Sequence, residues 1–267
     1  MTAKTAMRAA PGRTAGGLSL ERIFVWGAAL AVFTGMGTAP AAAQDEGFLF
    51  GTPKGSLALK VGYHVPRAQS DLFVFTQNEL TVEDGDFNGM GLAGELGVRI
   101  SERLDLTASV GFSESRTRSE FREWEDESGF PIEQETRFSV VPLTVGFKTY
   151  LGSRGRRVGR LAWVPSENKV NPFVGGAVGV TYYQFEQFGD FIDFETLDIF
   201  PDNFYSEGTA PTVHVLGGVD VTLSPRVYFT AEGRYGWASA PLDRDFVGFE
   251  DLDLAGFQGS VGIGFRF

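Results

Sequence analysis

From Ser56 onward, apolar and polar side chains alternate with period two in eight separate stretches, as expected of extended strands whose successive side chains point to opposite faces. Ser56–Val65 sets Leu57, Leu59, Val61 and Tyr63 against Ala58, Lys60, Gly62 and His64. Gly89–Ile100 sets Met90, Leu92, Leu96 and Val98 against Gly91, Ala93, Glu95, Gly97 and Arg99. Leu104–Ser113 sets Leu106, Ala108, Val110 and Phe112 against Asp105, Thr107, Ser109 and Gly111. Arg137–Leu151, Pro172–Gln184, Thr212–Leu223, Val227–Ala238 and a last stretch from Leu254 to Phe267 repeat the scheme. Pro142 lacks the N–H that a ladder needs, which predicts a bulge or kink in the fourth strand.

The connections alternate as well. Turns of about three residues follow the second and sixth strands, whereas Pro66–Asn88, Glu114–Thr136, Phe185–Pro211 and Ser239–Asp253 are long. Those long hairpins are expected to carry their strands beyond the membrane. Gly152–Asn171 breaks the alternation: it lies on the short-turn side, is basic through Arg154, Arg156, Arg157, Arg160 and Lys169, and has a length the pattern does not explain. Contact with anionic headgroups of the inner leaflet would fit its charge.

The apolar face carries aromatics at both ends and aliphatics between. Tyr63, Phe112, Tyr182, Tyr235 and Trp237 lie near the long loops; Phe147, Phe229, Phe265 and Phe267 lie near the short turns. Two aromatic rings around an aliphatic band match the girdles of membrane barrels. The opposite face is rich in glycine and holds both charge signs, which suits the narrow interior of an eight-stranded barrel. A soluble lipocalin-like barrel would turn these faces the other way. Buried charges need partners, so Lys60 with Glu95, Arg99 with Asp105, and Glu232 and Arg234 are expected to form ion pairs in a plugged lumen.

Lys4, Arg8, Arg13 and Arg22 precede the apolar run Ile23–Phe33, and Ala41-Ala42-Ala43 offers a small-residue cleavage site. Residues 1–43 therefore read as a cleavable signal peptide, too short in its apolar run for a helix needing about 20 residues to span a bilayer. Residues 44–267 form the barrel domain. The expected fold is all-β, an eight-stranded antiparallel up-and-down transmembrane β-barrel. Absence of cysteine excludes thiol catalysis and thiolate metal sites, and a formal charge of −11 disfavours nucleic acid.

With its signal peptide, eight dyad-patterned strands and the terminus Phe265-Arg266-Phe267, the chain resembles the small bacterial outer-membrane β-barrel superfamily, which includes the OmpA transmembrane domain, OmpX, OmpW and opacity-type surface proteins. The resemblance implies a location in the outer membrane among lipid and lipopolysaccharide. It also implies recognition of the last strand, through Phe265 and Phe267, by barrel assembly machinery. It is uninformative about activity and oligomeric state, because members serve as anchors, adhesins, conduits and lipid-modifying enzymes.

The long loops interleave acids with aromatics, above all in Phe185–Pro211. Three readings stand: a solvated acidic rim whose aromatics pack the hairpins together, a Ca²⁺ or Mg²⁺ site with Asp190, Asp193, Glu195 and Asp198 as candidates, and an aromatic mouth that captures small apolar or cationic molecules. No cofactor is implied otherwise. The two histidines, His64 and His214, are expected to face inward, and Thr212 shares a strand face with His214 without the serine pattern of a lipid deacylase. No catalytic residue is assigned. The leading expectation is a non-enzymatic barrel that works through its surface loops; a narrow OmpW-like conduit for small apolar solutes and a lipid-modifying enzyme are the alternatives.

Overall fold

A computed structural model describes residues 47–126, 128–193 and 196–267; the expected signal peptide lies outside them. Thirteen strands follow in chain order: β1 (Leu49–Phe50), β2 (Gly55–Pro66), β3 (Gly89–Arg99), β4 (Leu104–Glu125), β5 (Pro131–Tyr150), β6 (Gly155–Val158), β7 (Ala162–Pro165), β8 (Val170–Ile192), β9 (Ile199–Thr222), β10 (Val227–Trp237), β11 (Ser239–Ala240), β12 (Leu252–Asp253) and β13 (Gly256–Arg266). Among the described residues a helix, α1, spans Asp71–Glu79. Eight of the strands close an antiparallel barrel in the order β2-β3-β4-β5-β8-β9-β10-β13, each beside its neighbour in sequence, and β13 returns to β2. Closure leaves no unpaired edge, which a bilayer demands.

The face assignment follows the alternation. Leu59, Val61, Leu92, Val98, Leu106, Leu143, Val145, Val178, Val213, Val215, Val261 and Ile263 point outward and are 40 to 62% exposed. Lys60, Glu95, Asp105, Lys148, Asp220 and Glu232 point inward and are at most 6% exposed. An apolar outside around a charged inside is the order that hydrocarbon imposes. The architecture is that of an outer-membrane-type β-barrel.

Strand lengths split the barrel in two. Strands β2, β3, β10 and β13 run for 12, 11, 11 and 11 residues, about what a tilted crossing needs. By contrast β4, β5, β8 and β9 run for 22, 20, 23 and 24 residues and rise above the membrane as a four-stranded wall. The wall turns an apolar face inward: Phe121, Ile132, Phe138, Phe185, Phe191 and Phe204 form a buried cluster. The first and last long loops complete it. Helix α1 seats Leu72 and Phe73, both fully buried, and a 3₁₀ turn at Arg244–Phe246 seats Phe246. Phe73 meets Phe87, Phe138 and Phe185 edge-on with ring centroids 4.7, 5.5 and 5.9 Å apart. Glu250 N–H donates to Asp71 at 2.9 Å and ties the two loops together.

Pro142 does not make the expected bulge. The β4–β5 ladder lapses at Gly111 and Phe112 and resumes in the same register, Val110 opposite Leu143 and Ser113 opposite Val140. On its other side Pro142 stays in line with Thr181. The missing donor therefore costs two residues of pairing and no register, and the proline ring packs against Gly111.

Candidate functional site

The distinctive chemistry lies in the lumen, which side chains fill at three levels. At mid-height, four strands on different sides of the barrel contribute charges. Lys60 on β2 lies 2.8 Å from both Glu95 on β3 and Glu232 on β10. Lys148 on β5 lies 2.5 Å from Glu95 and 2.8 Å from Glu232. Arg234 reaches Glu232 at 3.1 Å and donates to Ser109 at 3.3 Å. Each carboxylate thus bridges two ammonium groups, and the network cross-links β2, β3, β5 and β10. Such charges are stable in a low-dielectric interior only when paired on this scale.

Below it, the long basic connection explains its own length. Strands β6 and β7 form a hairpin and β1 adds to it, so that a three-stranded sheet closes the periplasmic mouth. Trp163, 1% exposed, is the anchor of that sheet. Gly155 leaves room for it, since a Cβ there would sit 2.3 Å from the indole. Arg154 reaches back into the barrel, donates to both oxygens of Asp105 at 2.5 and 2.6 Å, and stacks 3.9 Å from the Tyr150 ring. Tyr150 in turn donates to Asp220 at 2.8 Å. A cavity of about 20 Å³ lies at this level between Arg99, Asp105, Arg154, Asp220 and Arg266, enough for about one water.

Two expectations change here. Arg99 and Asp105 do face each other across the β3–β4 ladder, but Asp105 takes Arg154 as its partner. Arg99 instead lies 5.7 Å from the Trp163 ring and donates to the Ser101 carbonyl at 3.3 Å. Cross-strand position alone pointed to Arg99, whereas a bidentate guanidinium from the connection makes the better contact. The expected headgroup contact of the connection loses Arg154 in the same way; Arg156, Arg157, Arg160 and Lys169 remain exposed. The pattern also gave no hint of Trp163, although a lone tryptophan inside a basic connection is an available signal of a buried contact.

Above the network, His64 on β2 and His214 on β9 line a second cavity of about 40 Å³ with Arg234, Thr181, Thr212 and Gln258. Each imidazole lies over a glycine of the next strand: a Cβ at Gly236 would be 2.6 Å from the His214 ring, and one at Gly256 would be 2.8 Å from His64. Thr212 and His214 share a hydrogen bond of 2.9 Å. Higher still, the aromatic cap seals the mouth.

Among the described residues the acidic candidates Asp190, Asp193 and Asp198 form no metal-holding group. Asp190 is exposed on β8, Asp193 accepts the Thr196 N–H at 3.3 Å across a turn, Asp198 is exposed after it, and Glu195 lies outside the described residues. Among the described residues no three His, Asp or Glu side chains are grouped to hold a metal ion. At the lipid–water boundary of β8 and β9, Tyr182 donates to Glu207 at 2.5 Å and Tyr205 donates to the same oxygen. Burial, then the Glu207 carboxylate, raise the Tyr205 hydroxyl well above its ordinary range. Phe265 and Phe267 are outward and 53 and 59% exposed at the periplasmic rim.

No protein-family model matches the chain, and no curated protein matches it. Among solved structures it is similar to Neisserial surface protein A, with 14% identity over 80% of this chain and 96% of that one, at a TM-score of 0.45. It is also similar to Ail, the attachment invasion locus protein of Yersinia pestis, with 13% identity over 80 and 99% of the two chains and a TM-score of 0.39. For the outer membrane protein OprG from Pseudomonas aeruginosa the figures are 12%, 82 and 99%, and 0.41. Likenesses this distant carry no argument about activity. By its own geometry the molecule is an eight-stranded, outer-membrane-type β-barrel with an ion-paired lumen closed at both ends.

Proposed function

We propose that the chain is a non-enzymatic integral protein of the outer membrane that holds a rigid acidic platform at the cell surface. In this account residues 1–43 direct export, Phe265 and Phe267 are read by the assembly machinery, and lipopolysaccharide surrounds the outer belt. The supporting observation is the triple closure of the lumen by the Trp163 sheet, the five-residue ion network and the aromatic cap. A scaffold closed three times over suits the display of a surface better than the passage of a solute. That surface is acidic: Glu83, Asp84, Glu123, Asp190, Asp243 and Glu250 are exposed on the cap. Both histidines are enclosed in the lumen rather than opened to lipid, which speaks against lipid modification. Recording from planar bilayers tests this account. It predicts no unitary conductance, and reproducible steps from the unaltered protein would contradict it.

One observation favours a conduit as the second reading. The lapse in the β4–β5 ladder falls beside Phe112 and Pro142, which also line the cavity above the network. A lateral exit for a small apolar solute would open there. Linking the two strands through paired cysteines at Gly111 and Pro142 would then abolish uptake of that solute by cells, whereas a closed scaffold gives no uptake to abolish.

A further inference from the structure

We infer that the cavity bounded by Arg234, His64 and His214 is a binding site for a small monovalent inorganic anion of the size of chloride or bromide. The first support is a charge imbalance. The mid-height network joins three cations, Lys60, Lys148 and Arg234, to two carboxylates, Glu95 and Glu232. Adding the pair of Arg154 with Asp105 and the neighbours Arg266 and Asp220 leaves five cations against four anions. Arg99, half-exposed at the mouth, only adds to the excess. A buried positive excess in low dielectric calls for a counter-ion.

The second support is where space remains. The cavity holds about 40 Å³, room for about three waters or one larger ion, and it abuts Arg234, the member of the network at its upper edge. None of its thirteen lining residues is acidic. Ser113, Thr181 and Gln258 supply hydroxyl and amide donors, and Phe112 and Leu254 supply the apolar wall that a weakly hydrated anion tolerates. His214 is 8% exposed, and its Nδ1 has no hydrogen-bond partner. Thr212 Oγ1 lies within hydrogen-bond reach of both the Trp237 carbonyl, at 3.2 Å, and His214 Nε2, at 2.9 Å; in the tautomer protonated at Nδ1 the hydroxyl turns from the carbonyl to Nε2 and Nδ1 becomes a further donor, and an anion in the cavity selects that arrangement. The site depends on the enclosed lumen and not on what the outer surface binds, so it stands or falls separately from the platform role.

The test is thermal unfolding of the detergent-folded chain in sodium bromide and in sodium gluconate at matched ionic strength, gluconate being too large for the cavity. Bromide at about five times its dissociation constant should raise the melting temperature by about 3 °C, saturably. Thr181→Leu, which fills the cavity with an apolar side chain, should lose the rise. Equal melting in the two salts, or an undiminished rise in Thr181→Leu, would overturn the site. Should that variant fail to fold, crystals of the unaltered protein soaked in bromide decide. An anomalous peak between Arg234, His64 and His214 supports the site, and an empty cavity overturns it.

Discussion

Below and above the outer lipid–water boundary, the same four strands are built with opposite polarity. In the membrane half of β4, Leu106, Ala108 and Val110 point out while Asp105, Thr107 and Ser109 point in. Beyond it Glu114, Arg116, Arg118 and Glu120 point out, and the inward row runs through Ser113, Ser115 and Ser119 to Phe121. Strand β5 mirrors this, with Leu143, Val145 and Phe147 outward in the membrane, Glu133, Glu135 and Arg137 outward above it, and Phe138 and Ile132 inward. The strand register does not change at the boundary. The surrounding solvent does, and each half puts outward what its solvent accepts. The upper half is therefore an ordinary globular core with an apolar interior, and the lower half is an inside-out one held by ions.

The two cores should fail differently. Glu232→Ala leaves Lys60, Lys148 and Arg234 sharing one carboxylate, a loss of about 3–5 kcal/mol by analogy with other broken buried pairs, and it should also open ion leakage in planar bilayers. Unfolding in detergent with urea measures the first effect; a variant as stable as the parent would show that the network is not holding the lower half. Phe73→Ala removes a fully buried ring from the upper half and should cost about 3 kcal/mol. Its effect should stay local: protease added to intact cells should cut the 67–88 loop while the β-signal of the barrel persists. Loss of the whole barrel would mean that the halves fold as one.

Arg154→Gln probes the periplasmic seal. Two charge-assisted hydrogen bonds to Asp105 disappear and a buried carboxylate is left behind, for about 1.5–3 kcal/mol. Faster hydrogen exchange in β6 and β7 than in β8 would report it. The smallest effect belongs to Arg118→Gln. Its side chain is 87% exposed and 3.6 Å from Glu135, so the change in stability should stay within about 0.5 kcal/mol. A larger loss would imply that the outward ion pairs, and not the aromatic cluster, hold the wall together.

How far the sequence carries depends on the same boundary. Within the membrane the alternation holds apart from outward glycines such as Gly94 and Gly233, and Lys60, Glu95, Glu232 and Arg234 were legible as lumen groups because each shares its strand face with glycine and small residues opposite the aliphatic row. Above it the phase reverses, so the outward row Glu114–Arg116–Arg118 reads as a polar loop; packing of loop aromatics such as Phe185 and Phe204 between the hairpins was one of the readings, whereas Phe121 carried no such signal. Helix α1 was not foreseen for a related reason. Asp-Leu-Phe-Val-Phe-Thr-Gln-Asn-Glu is short, rich in β-branched and aromatic residues, and without a side-chain cap from Ser70; burial of Leu72 and Phe73 holds it. Lys148 could not be matched to Glu95 and Glu232 from sequence because the partners sit across the barrel rather than beside it.

The reversal of faces can be tested residue by residue, because the chain has no cysteine to interfere. Nitroxides attached singly at Leu106→Cys, Leu143→Cys, Arg116→Cys and Glu133→Cys in lipid bilayers would be relaxed by oxygen, which concentrates in hydrocarbon, or by a nickel chelate, which stays in water. The account predicts oxygen dominance at 106 and 143 and nickel dominance at 116 and 133. Oxygen dominance at all four positions, or nickel dominance at 106 and 143, would contradict it.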